Sequence, residues 1–483
     1  MRVRREKRAE LAQRGVAPYP RNFRRTHTLA ELRAAYPDLP PGTGTGDRAA
    51  VTGRVIFLRN TGKLCFARLR GGDGTELQAM LSLDRVGERA LEDWKHLVDI
   101  GDHIGVEGEI GTSRRGELSV MADSWTMVAK ALRPLPVEHK ALNEEMRVRQ
   151  RYVDLIVNPA ARRMVRVRSG VLRSLRESLY RRGYVEVETP VLQSSHGGAA
   201  ARPFTTHFNA FDQDMTLRIA LELHLKRAVV GGVDKVYEIG RTFRNEGSDS
   251  THSPEFTMLE AYEALGDDET MAELTRELIV DAARAVGRTT VPDGAGGEVD
   301  LEQPWDRVTL YDAVSAAVGE TVTPATDVER LRLLATKHDV ETAPDWGAGE
   351  LALELYEKLV EHTLRAPTFV FDYPAEVRPL ARPHRDDPRL SEAWDLVIGG
   401  LELAVGYSEL VDPVIQRERL VEQSRRAAQG DPEAMDLDED FLRALEYGMP
   451  PTGGMGLGID RLVMLLTGSG IREAILFPTV KPE

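Results

Sequence analysis

The stretch RTFRNEGSDSTHSPEFTMLEAY, residues 241–262, decides how this chain is read. The apolar run VYEIG leads into it and FTMLEAY closes it, two segments of strand character joined by a polar loop. A strand, a loop and a returning strand bring Arg244, Glu246, His252, Phe256 and Glu260 around one small volume. Near the C-terminus GMGLGIDR, residues 454–461, feeds a glycine-dense strand into the apolar helix start RLVMLL, with Arg461 at the junction. Two arginines, an aromatic platform and close backbone approach are what binding a bent nucleoside triphosphate requires.

Composition bounds the rest. A chain of 483 residues is long enough for two or three domains, each with its own core. Its 42% hydrophobic and 29% charged residues are ordinary for a globular protein. The single cysteine, Cys65, excludes an internal disulfide framework and a thiolate zinc cluster, and it fits a reducing compartment. It reads as a small apolar filler in a strand. The N-terminal MRVRREKRAELAQRG is basic but is followed by no apolar core, so it is not a signal peptide. No run approaches the roughly 20 apolar residues that span a bilayer. The expectation is a soluble cytoplasmic protein with no membrane partner.

The net charge of −14 argues mildly against a nucleic-acid partner, but charge is unevenly spread. Arg2, Arg4, Arg5, Lys7, Arg8, Arg14, Arg21, Arg24 and Arg25 crowd the start, while Asp436, Asp438, Glu439 and Asp440 form a late acidic stretch. The basic start reads either as an arm that engages phosphates or as a solvated helix face.

Residues 1–50 read as a helical arm ending in the Pro/Gly-rich DLPPGTGTGD. Over 51–132 the segments VTGRVIFL, LCFARLR, ELQAML, HIGVEGEI and LSVMADSW are short strands punctuated by glycine turns. That pattern suggests a small closed barrel of the OB-fold kind, a scaffold that stacks the bases of single-stranded nucleic acid on aromatic rings. Residues 133–160 read as a linker with a short helix. From 161 to 483, Met164, Val167, Val171, Leu175 and Leu179 recur at helical spacing, and YVEVETPVL alternates like a strand stopped by Pro190. Residues 263–345 and 411–447 read as helical insertions on an antiparallel sheet. The fold class is therefore α+β.

The stretches around Arg244 and Arg461 resemble motifs 2 and 3 of class II aminoacyl-tRNA synthetases, and RRGYVEVETPVL, residues 181–192, resembles motif 1. The wording FRNEG, then H.PEFTM.E.Y, is most similar to the lysine enzymes of that class, and the likeness runs from about residue 50 to Glu483. It implies an OB-fold anticodon-binding barrel followed by a class II catalytic domain, paired into a homodimer through motif 1. It also implies ATP-dependent activation of lysine to lysyl-adenylate and transfer to the 3′ end of tRNA(Lys).

Residue roles follow from the same resemblance. Arg244 takes the α-phosphate and substrate carboxylate, and Arg461 takes the γ-phosphate. Phe256 stacks on adenine, Glu246 reads its exocyclic amine, and His252 lies near the terminal phosphates. Asp395 and Glu402, in WDLVIGGLE, would hold Mg²⁺. The Gly198 backbone, within HGGAAARPF, and Glu222 receive the α-amino group. Glu409 with Tyr262 receives the ε-ammonium, Glu260 lies behind them, and Tyr407 packs on the aliphatic stem. A cationic side chain needs carboxylates that are otherwise unpaired. In the barrel, Phe66 would stack on an anticodon base while Arg59, Gln78 and Glu117 read base edges; without the resemblance Phe66 would be placed in the barrel core.

Two departures stand out. Val405 occupies a position where the family has an asparagine that helps hold the substrate carboxylate, and Leu221 stands where the family favours proline. They keep two alternatives open: a paralogue with a different amino acid or a non-tRNA acceptor, and an inert tRNA-binding homologue. HIGV at 103–106, GKL at 62–64 and GGMGLGIDR are decoys for class I, P-loop and dinucleotide signatures, each failing on spacing or context.

Overall fold

A computed structural model of the chain describes residues 1–136, 142–429, 431 and 434–482. Residues 137–141 of the expected linker, and 430, 432 and 433 of the second expected insertion, lie outside the described residues. The chain forms two compact units, Met1–Arg162 and Arg163–Glu483.

In the first unit, β1 (Gly44–Thr61), β2 (Leu64–Arg70), β3 (Glu76–Ser82), β4 (His103–Thr112) and β5 (Leu118–Ala129) close a barrel in the order β1-β2-β3-β5-β4. Alternation decides what faces in. Cys65, Ala67 and Leu69 of β2 and Leu77, Ala79 and Leu81 of β3 are buried, while the residues between them face out. Phe66 therefore lies on the outer face, which corrects its placement in the core by composition.

β1 starts at Gly44, ahead of the boundary expected at residue 51. The GTGTGD stretch had the look of a turn, but its glycines fit a strand irregularity: the register with β4 shifts between Gly44 and Arg48, and Gly46 has φ +80°.

The basic start includes a docked helix, with Arg2, Arg5 and Arg8 of that helix and Arg21, Arg24 and Arg25 beyond it left exposed. Helix Arg2–Gln13 buries Leu11 in the barrel's core cluster. Arg4 donates to the carbonyls of Ile100, Ala131 and Arg133, Lys7 pairs with Asp99 at 2.7 Å, and Arg14 pairs with Asp93. These three charges dock the helix.

In the second unit, β6 (Val185–Glu186), β10 (Lys235–Phe243), β11 (Glu255–Ala264), β14 (Asp306–Thr309), β15 (Thr368–Pro374), β16 (Leu390–Ile398), β17 (Leu401–Ser408) and β18 (Thr452–Gly458) make one sheet. Its order is β14-β15-β16-β17-β18-β11-β10-β6. The six central strands are antiparallel, and only the edge pairs β14/β15 and β6/β10 are parallel. Smaller sheets are formed by β7 (Leu192–Gln193), β8 (Thr205–Phe208) and β9 (Gln213–Leu217), and by β12 (Thr290–Pro292) and β13 (Glu298–Asp300). Of the expected strand across YVEVETPVL only Val185–Glu186 of β6 and Leu192 at the start of β7 are strand; between them Thr189 donates to Glu238, its N–H at 3.0 Å and its hydroxyl at 2.6 Å.

One face of the sheet is the core. Leu259 and Ala261 of β11, Leu403 and Ala404 of β17, and Met455 and Leu457 of β18 pack against helices Pro159–Arg181, Asp268–Val286 and Ile459–Thr467. Helix Asp268–Val286 is capped at its start by the Asp267 side chain accepting from the Thr270 N–H, and it ends at left-handed Gly287. Among the described residues no helix is long and apolar enough to cross a membrane.

Candidate active site

The other face of the sheet is a cavity of about 630 Å³. The period of two puts Phe256, Met258, Glu260 and Tyr262 of β11, Val405 and Tyr407 of β17, and Gly454, Gly456 and Gly458 of β18 along its floor. Glu409, just past β17, and Glu222, at the start of helix Glu222–Val230, close one end. Arg244, Glu246, His252, Glu402 and Arg461 also line it, as does Gly198. All eleven residues expected from the sequence to hold nucleotide and amino acid therefore border one cavity, Gly198, Glu222, Arg244, Glu246, His252, Phe256, Glu260, Tyr262, Tyr407, Glu409 and Arg461, and so does the expected metal ligand Glu402. Asp395, the other expected metal ligand, is not among its lining residues.

Arg244 lies over the Phe256 ring, its guanidinium carbon 5.2 Å from the ring centre, and its Nε donates to the Ile219 carbonyl at 3.3 Å. Among the described residues no acidic side chain forms an ion pair with it, and desolvation pulls its pKa down, with Arg461 acting in the same direction. Glu246, Glu402 and Glu260 pull the other way from longer range, so the half-buried guanidinium is left with hydrogen-bonding capacity for an incoming anion. Arg461 donates from Nη1 to the Glu402 carbonyl at 2.8 Å, and its Nη2 meets Nε2 of His252 at 3.3 Å. Because a guanidinium only donates, His252 accepts there at Nε2 and carries its proton on Nδ1, which faces Asp249 at 2.9 Å. Asp249 was not expected to matter. It accepts from the Thr251 and His252 amides, which hold its carboxyl well below the usual range and shape the loop between β10 and β11.

A further network missed in the sequence fixes this end. Asp460 accepts from the Thr257 N–H at 2.7 Å and from Arg168 at 2.5 Å, tying β11, the long helix and the start of helix Ile459–Thr467 together. The residues beside Phe256 and Arg461 are thereby held in register.

At the acidic end the expectation of unpaired carboxylates is corrected. Lys226, fully buried, reaches Glu222 Oε1 at 2.6 Å and Glu409 Oε2 closer still. The i, i+4 spacing of Glu222 and Lys226 on a helix was the signal available in the sequence. Lys226 does not satisfy the slot. Two carboxyl groups, Glu222 and Glu409, share one ammonium with Glu260 crowding them, and Glu409 Oε1 is buried with no hydrogen-bond partner among the described residues. Burial pushes the Glu409 carboxyl up, against the pull of Lys226.

Glu260 is pushed up to about 7 by burial and by neighbouring Glu222. It accepts from the Leu221 N–H at 2.9 Å and the Tyr262 hydroxyl at 3.0 Å. Tyr262 therefore points its proton at Glu260, not at Glu409. A proline at 221 could not make the first of these bonds.

Two glycines are needed here. A Cβ on Gly454 would stand 1.9 Å from Glu409 Oε1 and 2.6 Å from the Tyr262 ring. Gly198 has φ +88°, and a Cβ there would meet Ala220 at 3.0 Å and Glu222 at 3.2 Å.

The two expected metal ligands sit on neighbouring strands, Asp395 opposite Val405 and Glu402 opposite Val397. Arg378 pairs with Asp395 Oδ2 at 2.5 Å, which the sequence did not indicate. Asp395 Oδ1 is buried without a partner of normal geometry, and Glu402 is partly exposed. Burial, against the pull of Arg378 and helped by Glu402 and Glu357, leaves Asp395 at about 6, and burial with Glu402, Glu357 and Asp395 nearby leaves Glu361 at about 7. Among the described residues no three side chains converge as a complete metal cage. An all-oxygen, two-carboxylate set suits a hard cation whose remaining positions go to water and substrate phosphates.

On the barrel, Arg59 pairs across the strands with Phe66, and Arg68 with Gln78. Gln78 donates to Ser119 Oγ at 2.8 Å, and exposed Glu117 is paired with Arg33 at 2.8 Å. Phe57, exposed beside Arg68, belongs to the same outer face and was not anticipated.

Residues 143–481 match the family described as tRNA synthetases class II (D, K and N), and residues 49–128 match the OB-fold nucleic acid binding domain. The chain is 59% identical to a lysine–tRNA ligase of Mycolicibacterium gilvum, over 99% of this chain and 96% of the relative. It is 57% identical to a lysine–tRNA ligase of Mycobacterium tuberculosis, over 100% of this chain and 97% of the relative. It is also 51% identical to a lysylphosphatidylglycerol biosynthesis bifunctional protein of Nocardia farcinica, over all of this chain but 43% of that one.

Proposed function

From the premise that the chain belongs to the class II tRNA synthetases of the D, K and N group, with an OB-fold domain before the catalytic one, we propose that it is a lysine–tRNA ligase. It uses ATP to activate lysine and transfers the lysine to tRNA. The observation that carries the choice of lysine is the buried, unpartnered Glu409 Oε1 in the same cavity as the Arg244–Phe256 stack. A carboxylate oxygen in that state is stabilised by a cation entering from the cavity.

In the first step the lysine carboxylate attacks the α-phosphorus of ATP and pyrophosphate leaves. Arg244 meets the charge that builds on the α-phosphate, and Arg461 holds the terminal phosphates so that the nucleotide stays bent. Phe256 stacks on adenine and Glu246 reads its amine. Glu222 and the Gly198 backbone take the α-ammonium, Glu409 takes the ε-ammonium, and Tyr407 covers the stem. Asp395 and Glu402 would hold Mg²⁺, which neutralises phosphate charge when bound. In the second step the 3′-hydroxyl of tRNA attacks the adenylate carbonyl and AMP leaves. Amino-acid-dependent exchange of pyrophosphate into ATP over a panel of amino acids tests this reading: exchange with lysine is expected, and exchange with another amino acid, or with none, overturns it.

The barrel's outer face is the anticodon reader in this proposal, and Phe66→Ala tests it. Loss of one stacking platform is worth about 1–3 kcal/mol per base. The KM for tRNA is expected to rise about 5- to 100-fold in the charging assay while exchange stays unchanged. A parallel fall in exchange would deny the barrel an independent role.

Val405→Asn restores an amide beside the proposed carboxylate position. A neutral hydrogen bond of about 0.5–1.5 kcal/mol predicts a lysine KM lowered about 2- to 10-fold; an unchanged or higher KM would mean that valine is adapted to its site.

The protein acts in the cytoplasm as a homodimer in this reading. Tyr180, Val185, Leu192 and Phe211 around motif 1 are exposed apolar groups that a second copy would cover.

A further inference from the structure

Lys226 is a fully buried ammonium for which the reaction as described has no use. Its Nζ sits between Glu222 on its own helix and Glu409 at the end of β17, with the Leu380 carbonyl at 3.5 Å. Glu260 and Tyr262 on β11 and Tyr407 on β17 complete the titratable groups that crowd these two carboxylates. Glu222 and Glu409 line the cavity, whereas Lys226 does not.

We propose that Lys226 is a positioning residue for substrate choice: it clamps Glu222 and Glu409 from behind and lets both ionise as a diamino acid docks against them. The inference rests on the lysine reading of the cavity and deepens it. A buried ion pair is a poor source of stability, since an apolar replacement of similar volume serves as well or better. Here the cluster also leaves one oxygen of Glu409 unpartnered and facing Gly454. A stabilising pair would have closed on itself. This one leaves a buried carboxyl oxygen open at the cavity wall, and a ligand cation completes it.

Without the ammonium, two carboxyl groups forced together in a buried site cannot both stay ionised near neutral pH, and one takes up a proton. The slot then has lost the charge that distinguishes an ammonium from a methyl end.

The test is lysine binding to the full chain by titration calorimetry, with the ATP KM measured in parallel. In Lys226→Met the lysine Kd is expected to rise about 10- to 100-fold, the scale of a lost charge-assisted contact. The ATP KM should stay within about twofold of wild type. The lysine deficit should narrow as pH is raised from 7 to 9, where the extra proton leaves, and ethylammonium should restore part of the affinity. Lys226→Gln should follow the same pattern if the methionine variant does not fold, and Lys226→Arg should retain most of the lysine affinity. A lysine Kd within about twofold of wild type in a folded Lys226→Met or Lys226→Gln variant overturns the proposal. So does a loss shared equally by ATP, or a deficit independent of pH. If the wild-type chain binds ATP but no lysine, the lysine reading falls and takes this proposal with it; wild-type lysine binding matched by the variants sinks this proposal alone.

Discussion

Arg244→Ala is expected to lower lysine-dependent pyrophosphate exchange by about 10²- to 10³-fold, the usual effect of removing one fixed donor aimed at developing charge. The guanidinium is available for this task because among the described residues no acidic side chain forms an ion pair with it, and one face is covered by Phe256. Alanine removes the cation and uncovers the ring together, so kcat falls and the KM for ATP rises. Binding of tRNA, measured by filter retention, is expected to change by less than about twofold, because the proposed anticodon-reading residues belong to the other compact unit. Equal losses in exchange and tRNA binding would indicate a misfolded chain and not a missing catalytic group.

Glu409→Gln is the second large effect. The amide keeps the shape of the carboxyl group but removes the charge that a ligand ammonium would meet. A charge-assisted contact of about 1.5–3 kcal/mol, together with a buried cation left underpaired, predicts a fall in kcat/KM for lysine of about 10²- to 10³-fold. The ATP KM should hold within about twofold.

A pH signature separates this from loss of packing. Burial holds the Glu409 carboxyl above its ordinary range. Lysine binds the ionised form, so in the wild-type chain a proton must leave before the ammonium docks. The lysine KM is therefore expected to fall as pH rises from weakly acidic to mildly alkaline, and glutamine at 409 should flatten that slope. A slope that survives the substitution would assign it to another group, Glu260 first, since that carboxyl is pushed up to about 7.

Much of this was legible in contiguous sequence. The strand–loop–strand around Arg244 became β10 and β11, in antiparallel register from Lys235↔Glu263 to Phe243↔Glu255, because apolar alternation fixes which residues face the core. The glycine run before Arg461 became β18, where the approach of Glu409 and Tyr262 to Gly454 leaves no room for a side chain. The barrel strands were legible from their punctuation. The start of β1 was not, because glycines that make a bulge look the same in sequence as glycines that make a turn. The basic N-terminus was only partly legible for a similar reason: composition counts charges but not the Asp99, Asp93 and backbone carbonyls that take up Lys7, Arg14 and Arg4.

The chain's own order of residues determined the fold class, the family, and which side chains could meet a nucleotide and a diamino acid, because periodicity and short motifs are properties of neighbouring positions. Only the tertiary structure decided how those side chains are charged and held. It put Lys226 behind Glu222 and Glu409, Arg378 on Asp395 and the Leu221 amide on Glu260. Coulomb interaction and desolvation depend on distance and burial in space, and groups far apart along the chain carry no record in sequence of which of them will touch.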